Sequence, residues 1–368
     1  MIKVLSIFGT RPEAIKMAPV VKELEKHSSD GVKSIVCVTG QHRQMLDAVL
    51  SWFDIKSDVD LDLMEKNQSL YSLTSKAISA LAHAINQIKP DISVVQGDTT
   101  TAMVASLASF YEKVPVAHVE AGLRTRDRYK PFPEEINRRL VSVLATYNFA
   151  PTQTAIENLL SEGFPEESIF LTGNTVIDAL LMTVKREWAM DLGFPLNGEK
   201  LVLVTAHRRE NFGDPLKNIC NTLIQIANRN PEVKIVYPVH PNPNVQSVAY
   251  SILSDQERIY PIEPLEYQEL IYLMDRSYLV LTDSGGLQEE APALGKPVLI
   301  MRNETERQEG VEAGVAKIVG TDPENILRET ELLLNDPEGY ARMSKATNPY
   351  GDGRASERIV RIIMERLG

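Results

Sequence analysis

Cysteine is nearly absent: the 368 residues contain two, Cys37 within an apolar run and Cys220 within a helical pattern. Two such thiols make no disulfide framework and are expected to be reduced and buried. Long apolar runs are missing as well. No stretch reaches about 18 uncharged apolar residues, the length a membrane helix needs. The opening IKVLSIF runs into a strand pattern with no cleavage signal, so neither secretion nor a membrane span is expected and a cytoplasmic location is. There is no basic face: 39 Lys and Arg stand against 50 Asp and Glu, a net charge of −11. That excludes a broad nucleic-acid footprint but leaves room for a small anion held by a few local arginines. No HExxH and no cysteine pair at metal-ligand spacing occurs, and no GxGxxG follows the first strand, so neither a metal nor a dinucleotide cofactor is expected.

What remains is a repeating grammar of apolar strand, polar turn and amphipathic helix. Val4–Phe8, Ser34–Thr39, Ile92–Gln96 and Val114–Val119 read as strands. Helical stripes run between them, such as Ile78, Leu81, Ile85 and Ile88 within Leu73–Ile88. Pro19 falls inside the first helical pattern and predicts a kink or a split there. The grammar restarts at Leu201–Thr205 and continues through Val233–Tyr237 to Leu279–Ile300. The length predicts two domains, and the repeated unit predicts mostly parallel sheets covered on both faces. We place the division at 1–173 and 174–354, with Phe194–Gly198 as a surface hinge or linker. The apolar stripe of the last helix, 355–368, does not say which domain it covers.

Candidate chemistry gathers at strand ends, where open α/β sheets bind ligands. Thr282-Asp283-Ser284-Gly285-Gly286 brings backbone N–H groups to a helix start, which suits a phosphate, and an acidic residue on that helix, which carries Glu289 and Glu290, can reach ribose hydroxyls. A capped helix after a strand explains the same residues. Arg11 and Lys16 bracket the first helix start, where an anion is favoured. Asp98 and Glu120 end two strands, and Glu134 and Glu135 begin the helix after the loop of Pro131 and Pro133, which is expected to be extended. The alternatives are an N-cap for Asp98 and helix N-terminal stabilisation for Glu134 and Glu135, the latter preferred for Glu135. Ala121-Gly122 is read as a place where backbone approaches ligand. His207, with Arg208 and Arg209, suits a diphosphate. The loop Arg302–Arg307 reads equally as a phosphate clamp or a solvated surface, and Glu329–Glu331 as a solvated helix face. Two α/β domains with an anion site in each and several carboxylates fit a nucleotide-sugar enzyme. On these residues alone, glycosyltransferase, epimerase and hydrolase all stay open.

Longer motifs narrow the choice. GTRPEAIKMAP (Gly9–Pro19), GDTTT (Gly97–Thr101), HVEAGLRT (His118–Thr125), PFPEEINRR (Pro131–Arg139), GNTVIDAL (Gly173–Leu180), TAHRREN (Thr205–Asn211) and TDSGGLQEEAPALGKPVL (Thr282–Leu299) occur in that order, and NPYGDGRAS (Asn348–Ser356) follows. Together they resemble the non-hydrolysing UDP-N-acetylglucosamine 2-epimerases. The resemblance implies two Rossmann-like, doubly wound domains in a GT-B arrangement, with the active site in the interdomain cleft and the C-terminal helix returning to the first domain. It implies a homodimer and a reversible conversion of UDP-N-acetylglucosamine to UDP-N-acetylmannosamine by elimination and re-addition of UDP, without a cofactor or metal. Carried to matching positions, it implies acid/base and sugar-orienting work for Asp98, Glu120 and Glu134, and diphosphate stabilisation by His207 with Arg11 and Lys16 nearby. Ser284, Gly285 and Gly286 would hold phosphate, and Glu290 the ribose.

The resemblance further implies an allosteric site for a second UDP-N-acetylglucosamine, at Gln41, Gln44, Glu134, Arg208 and His240. Asn67 departs from the pattern, since many relatives carry arginine there; activation is therefore expected to be weaker, because asparagine cannot replace a bidentate cation. Gln308, where relatives often have proline, is expected to affect loop stiffness only. A hydrolysing epimerase, a glycosyltransferase of the same architecture and a nucleotide-sugar-binding regulator are the alternatives. No appended kinase-like domain is expected, and the intact acidic positions with His207 favour catalysis over mere binding.

Overall fold

The structure is a computed structural model and describes residues 1–40, 43–63, 65 and 68–368. The chain forms two compact units, Met1–Met182 with Tyr350–Gly368, and Thr183–Pro349. The division thus falls nine or so residues later than the expected 173/174, because the helix that starts at Thr175 is tied to the C-terminal segment.

The first unit is built on seven parallel strands: β1 (Ile2–Phe8), β2 (Val32–Val38), β3 (Val59–Asp60), β4 (Ile92–Gln96), β5 (Val116–Val119), β6 (Tyr147–Ala150) and β7 (Ile169–Leu171). Their spatial order is β3-β2-β1-β4-β5-β6-β7, so the direction of winding reverses between β1 and β4. Helices α1 (Arg11–Lys26), α2 (Arg43–Trp52), α3 (Leu70–Ile88), α4 (Thr100–Tyr111), α5 (Glu134–Leu144), α6 (Gln153–Ser161) and α7 (Thr175–Val184) connect them. β4 is buried at every position, as a parallel strand covered on both faces must be. Its Val95 joins Leu5, Ile7, Cys37, Leu81, Ile85 and Val141 in the core. Each such aliphatic side chain stabilises the fold by roughly 1.5–3 kcal/mol.

The C-terminal helix (Ala355–Leu367) packs on α1 within this unit. Its start is capped from afar. The buried Asp178 carboxylate accepts from Ala355 N (3.1 Å), Ser356 N (2.8 Å) and Ser356 Oγ (2.6 Å). A carboxylate at a helix N-terminus satisfies orphan amides and complements the dipole.

The second unit repeats the design with six parallel strands: β8 (Lys200–Thr205), β9 (Val233–Pro238), β10 (Ile259–Ile262), β11 (Leu279–Thr282), β12 (Val298–Ile300) and β13 (Ala316–Ile318). The order is β10-β9-β8-β11-β12-β13, so winding reverses between β8 and β11. The helices are α8 (Asp214–Arg229), α9 (Pro243–Leu253), α10 (Tyr267–Arg276), α11 (Gly285–Ala293), α12 (Gln308–Glu312), α13 (Pro323–Asn335) and α14 (Pro337–Ser344). Val202, Val204, Ile226, Ile235, Tyr237 and Leu281 lie in its core. Two doubly wound, Rossmann-like α/β units are the architecture that the resemblance implied.

Several local expectations give way. α1 runs unbroken through Pro19, so no split occurs. The Pro131–Pro133 loop is exposed but turns rather than extends, and both X–Pro bonds are cis. Phe194–Gly198 is no free linker: Phe194 stacks on Tyr260 at 4.0 Å, and Lys234 bonds both the Pro195 carbonyl and Glu199. Glu329 does not belong to a solvated face; it is buried and paired with Lys317. Both thiols are buried, and burial pushes each up to about 12, so they stay protonated.

Candidate functional site

The reversal of winding opens a crevice at the carboxyl ends of β1 and β4 in the first unit and of β8 and β11 in the second. The residues singled out by sequence cluster around these two points.

In the first unit the β1 loop is set by Thr10, which caps α1, and by Glu13, which reaches back. Arg11 is the first residue of α1 and Pro12 the second, one position later than Pro is usually favoured. One Glu13 oxygen accepts from Gly9 N (3.0 Å) and Thr10 N (2.7 Å), and the other takes the Thr99 hydroxyl (2.6 Å). The loops after β1 and β4 are thereby laced together. Burial pushes the Glu13 carboxyl above its usual range, opposed by those hydrogen bonds. Thr99, not Asp98, caps α4, accepting from Ala102 N at 3.0 Å. Asp98 is therefore free of capping duty and instead pairs with the Arg138 guanidinium, while its carbonyl accepts from Asn137 Nδ2 (3.0 Å).

Glu120 follows β5 in the left-handed region, at φ +66, a conformation a non-glycine residue holds only when its surroundings impose it. The surroundings are visible. Lys16 Nζ lies 2.6 Å from each carboxylate oxygen, and Gln96 Nε2 and Asn174 Nδ2 donate to the same group. Lys16, expected to face an anion, thus has its anion within the protein. His118, fully buried on β5, donates Nε2–H to the Gly97 carbonyl (2.7 Å); burial lowers it to about 4, so it is neutral. It braces the turn that presents Asp98.

Glu134 sits at the start of α5, partly exposed. Glu135 is fully buried and accepts from Thr125 N, Arg126 N, Arg138 Nη1 and Arg139 Nε at 3.0–3.3 Å. It is a brace for the preceding loop and for Arg138, a larger role than helix-end stabilisation. Gly122, expected to admit ligand, brings its backbone against the Ala155 carbonyl instead; φ +90 and the lack of space exclude a side chain there.

In the second unit Ser284 caps α11 without a side-chain hydrogen bond, and its own N–H goes to Thr282 Oγ1 (2.9 Å). The first amides of α11, from Gly285 and Gly286, are left facing the crevice end of β11, as an anion site requires. Glu290 lies on the second turn of α11, buried. His207 follows β8, stacks on His240 with centroids 5.1 Å apart, and is anchored through the backbone to Asp283 (2.8 Å). The Tyr237 hydroxyl holds the Ala206 carbonyl at 2.6 Å. The loop after β12 is part solvated and part paired: Asn303, Glu304 and Glu306 are exposed, while Arg302 and Thr305 are buried. Arg302 bonds Glu210 (2.6 Å) and Glu306 (2.8 Å), and Arg307 bonds Glu289 (2.6 Å) and Glu306 (3.1 Å). The Arg307 guanidinium would lie 3.0 Å from a Cβ placed on Gly285, so it roofs the start of α11.

Of the positions implied for a second ligand, Gln44 is exposed on α2, Arg208 is partly exposed and 3.7 Å from Glu306, and His240 is exposed. Gln41 and Asn67 lie outside the described residues. Gln96, Arg138, Asn174 and Asp283 were not singled out as site residues by sequence reasoning, although all but Gln96 lie within the quoted motifs. Among the described residues no group of three or more His, Cys, Asp and Glu is arranged to hold a metal ion.

Comparison with known proteins extends this picture over the whole chain. A family model described as UDP-N-acetylglucosamine 2-epimerase matches residues 22–364. The UDP-N-acetylglucosamine 2-epimerase of Campylobacter jejuni is 53% identical, over 99% of this chain and 97% of its own. The solved structure of the Neisseria meningitidis UDP-GlcNAc 2-epimerase, bound to UDP-GlcNAc, is 49% identical with a TM-score of 0.89, covering 99% of this chain and 100% of its own. A structure of S. aureus MnaA with UDP is 49% identical with a TM-score of 0.85, covering 100% and 97%.

Proposed function

The chain belongs to the UDP-N-acetylglucosamine 2-epimerase family, and from that premise we propose how its two units divide the reaction. The protein is an enzyme that reversibly interconverts UDP-N-acetylglucosamine and UDP-N-acetylmannosamine, a step in making cell-envelope polysaccharide precursors. The second unit holds UDP: the α11 amides of Gly285 and Gly286 with Ser284 take phosphate, Glu290 takes the ribose, and His207 meets the diphosphate. Arg11, a residue of the first unit, adds positive charge. The first unit presents Asp98, Glu120 and Glu134 to the sugar.

The chemistry explains the division. The C2 hydrogen has no neighbouring carbonyl, so direct deprotonation is unfavourable. Breaking the C1–O bond sends its electron pair to the diphosphate oxygen, while the C2 proton passes to a carboxylate, leaving UDP and 2-acetamidoglucal. Re-addition of UDP with protonation of C2 from the opposite face delivers the epimer, with no net redox change and no cofactor. Two faces require acid/base groups in two places, and the glycal must be kept from water. The observation that carries this reading is Glu120, imposed at φ +66 on a strand end and clamped as a carboxylate by Lys16, Gln96 and Asn174. Incubation with UDP-N-acetylglucosamine in deuterated water tests it. Intact UDP-N-acetylmannosamine carrying deuterium at C2 supports epimerisation; free N-acetylmannosamine would mean hydrolysis, and no turnover would mean a binding protein.

The working form is a cytoplasmic homodimer. Phe110, Tyr111, Leu140 and Val143 are all exposed on the neighbouring helices α4 and α5 and support an apolar contact between copies. A second UDP-N-acetylglucosamine acts as activator at Gln41, Gln44, Glu134, Arg208 and His240. With asparagine at 67 its affinity is reduced. Isothermal titration of the activator should show tighter binding in Asn67→Arg, and unchanged binding would remove that residue from the site.

A further inference from the structure

Asp283 stands between β11 and the Ser284 cap of α11, fully buried. Its Oδ2 accepts three hydrogen bonds, from His207 N (2.8 Å), Arg208 N (2.8 Å) and Asn211 Nδ2 (2.9 Å). The other oxygen, Oδ1, is equally buried and has no hydrogen-bond partner among the described residues; it lies 3.5 Å from His207 Nδ1. Three donors on one oxygen fix the carboxylate plane and leave Oδ1 with the imidazole as its neighbour. We propose that Asp283 is a positioning residue that ties the His207 loop to the phosphate-binding turn and holds His207 as the Nδ1–H tautomer, so that Nε2 is the atom offered to the diphosphate. This rests on the reading that His207 meets the leaving group.

The carboxylate does two things at once. Backbone amides from the β8 loop and the start of the β11 turn share one residue, so the imidazole and the α11 amides keep a fixed spacing. A second acceptor at Nδ1 also decides which nitrogen carries the proton, as an orienting carboxylate does for a catalytic histidine elsewhere. The 3.5 Å separation is longer than a hydrogen bond, and such contacts tighten when the ligand arrives. The groups facing His207 are Asp283 from the β11 turn, His240 from the loop after β9, and Arg208 beside it. Burial opposes the charged ring, Asp283 favours it, and His240 and Arg208 oppose it, leaving His207 below its usual value and neutral before ligand binds. A diphosphate at Nε2 adds negative charge and reverses that balance. The ring takes one proton from solvent, and the imidazolium then spans Asp283 and the diphosphate as the C1–O electron pair arrives there.

The wild-type protein supplies a test that needs no substitution. Nitrogen-15 NMR of His207 without ligand should show the Nδ1–H tautomer, and an Nε2–H tautomer would overturn the proposal. Asp283→Asn keeps an acceptor for the amides but turns an NH2 toward Nδ1, which favours the opposite tautomer. It should lower kcat by about 10²-fold or more with little change in KM. It should also move the alkaline limb of the kcat–pH profile to lower pH, because the group that favours the imidazolium is gone; Asp283→Glu should recover part of the rate. Unchanged kcat and pH profile in Asp283→Asn, with His207→Asn impaired, would overturn the proposal. Wild-type turnover by His207→Asn would remove His207 itself from the reaction, and the positioning role with it.

Discussion

The two crevices are built alike and present opposite charge. In each, a buried carboxylate laces two strand-end loops across the reversal of winding: Glu13 between the β1 and β4 loops, Asp283 between the β8 and β11 loops. What remains at the front differs in sign. Glu13 consumes amides of the β1 loop, and the neighbouring strand ends offer carboxylates, Asp98 and Glu120, each fastened by a cation. Asp283 consumes amides of the β8 loop, and what is left there is an imidazole, an arginine and the N-terminus of α11 beneath the Arg307 guanidinium. Under the proposed division, one scaffold would yield a proton-handling site in one unit and an anion-binding site in the other. Fold alone does not distinguish them; the residue types at the strand ends do.

Separating kcat from UDP affinity tests this contrast most strongly. Glu120→Gln should lower kcat by about 10³-fold while the Kd for UDP, measured by titration calorimetry, stays near wild type. Gly285→Val places a branched side chain against the Arg307 guanidinium and should weaken UDP binding by about tenfold or more, since the helix-terminal amides lose access. If Glu120→Gln weakens UDP and Gly285→Val does not, the assignment of roles to units is reversed.

The next effects concern the scaffold under the carboxylates. Glu135→Ala leaves the Arg138 guanidinium without its fully buried partner and should reduce stability by about 3 kcal/mol, read from chemical denaturation. A change within a few tenths of a kcal/mol would mean that the Glu135 brace is dispensable. His118 gives a pH-dependent counterpart. Its folded value, about 4, lies below the unfolded 6.5, so its contribution is complete above pH 6.5 and is lost as pH falls toward 4. The loss amounts to about 3 kcal/mol. Denaturation curves of wild type and His118→Gln should diverge over that window, and parallel curves would show that His118 protonates freely.

Most of the fold was readable because strands covered on both faces are continuous apolar runs; Ile92–Gln96, Leu201–Thr205 and Leu279–Thr282 are each buried throughout or nearly so. Val59–Asp60 and Ala316–Ile318 were not, since two or three residues carry no period and only their neighbours make them strands. Helix α7 ends at Val184, and Trp188 packs on Tyr272 beyond it, a tertiary preference that no local pattern announces. At the site, residue types at strand ends were legible and their partners were not. Lys16 and Glu120 are 104 positions apart, so a cation at a helix start looked like a phosphate ligand until the fold brought a carboxylate to it. Arg138 and Asp98 are separated by 40. Glu329 escapes local reading for the same reason: nothing within Glu329–Glu331 announces its partner, Lys317 on β13.

The central claim is that C2 inverts only through cleavage of the C1–O bond, with UDP held by one unit while carboxylates of the other move the proton. UDP-N-acetylglucosamine labelled with oxygen-18 in the bridge at C1, incubated with the wild-type enzyme in deuterated water, tests it directly. The label is expected to leave the bridge for the non-bridging β-phosphate positions as deuterium enters C2. Deuterium at C2 with the label still wholly in the bridge would contradict the claim.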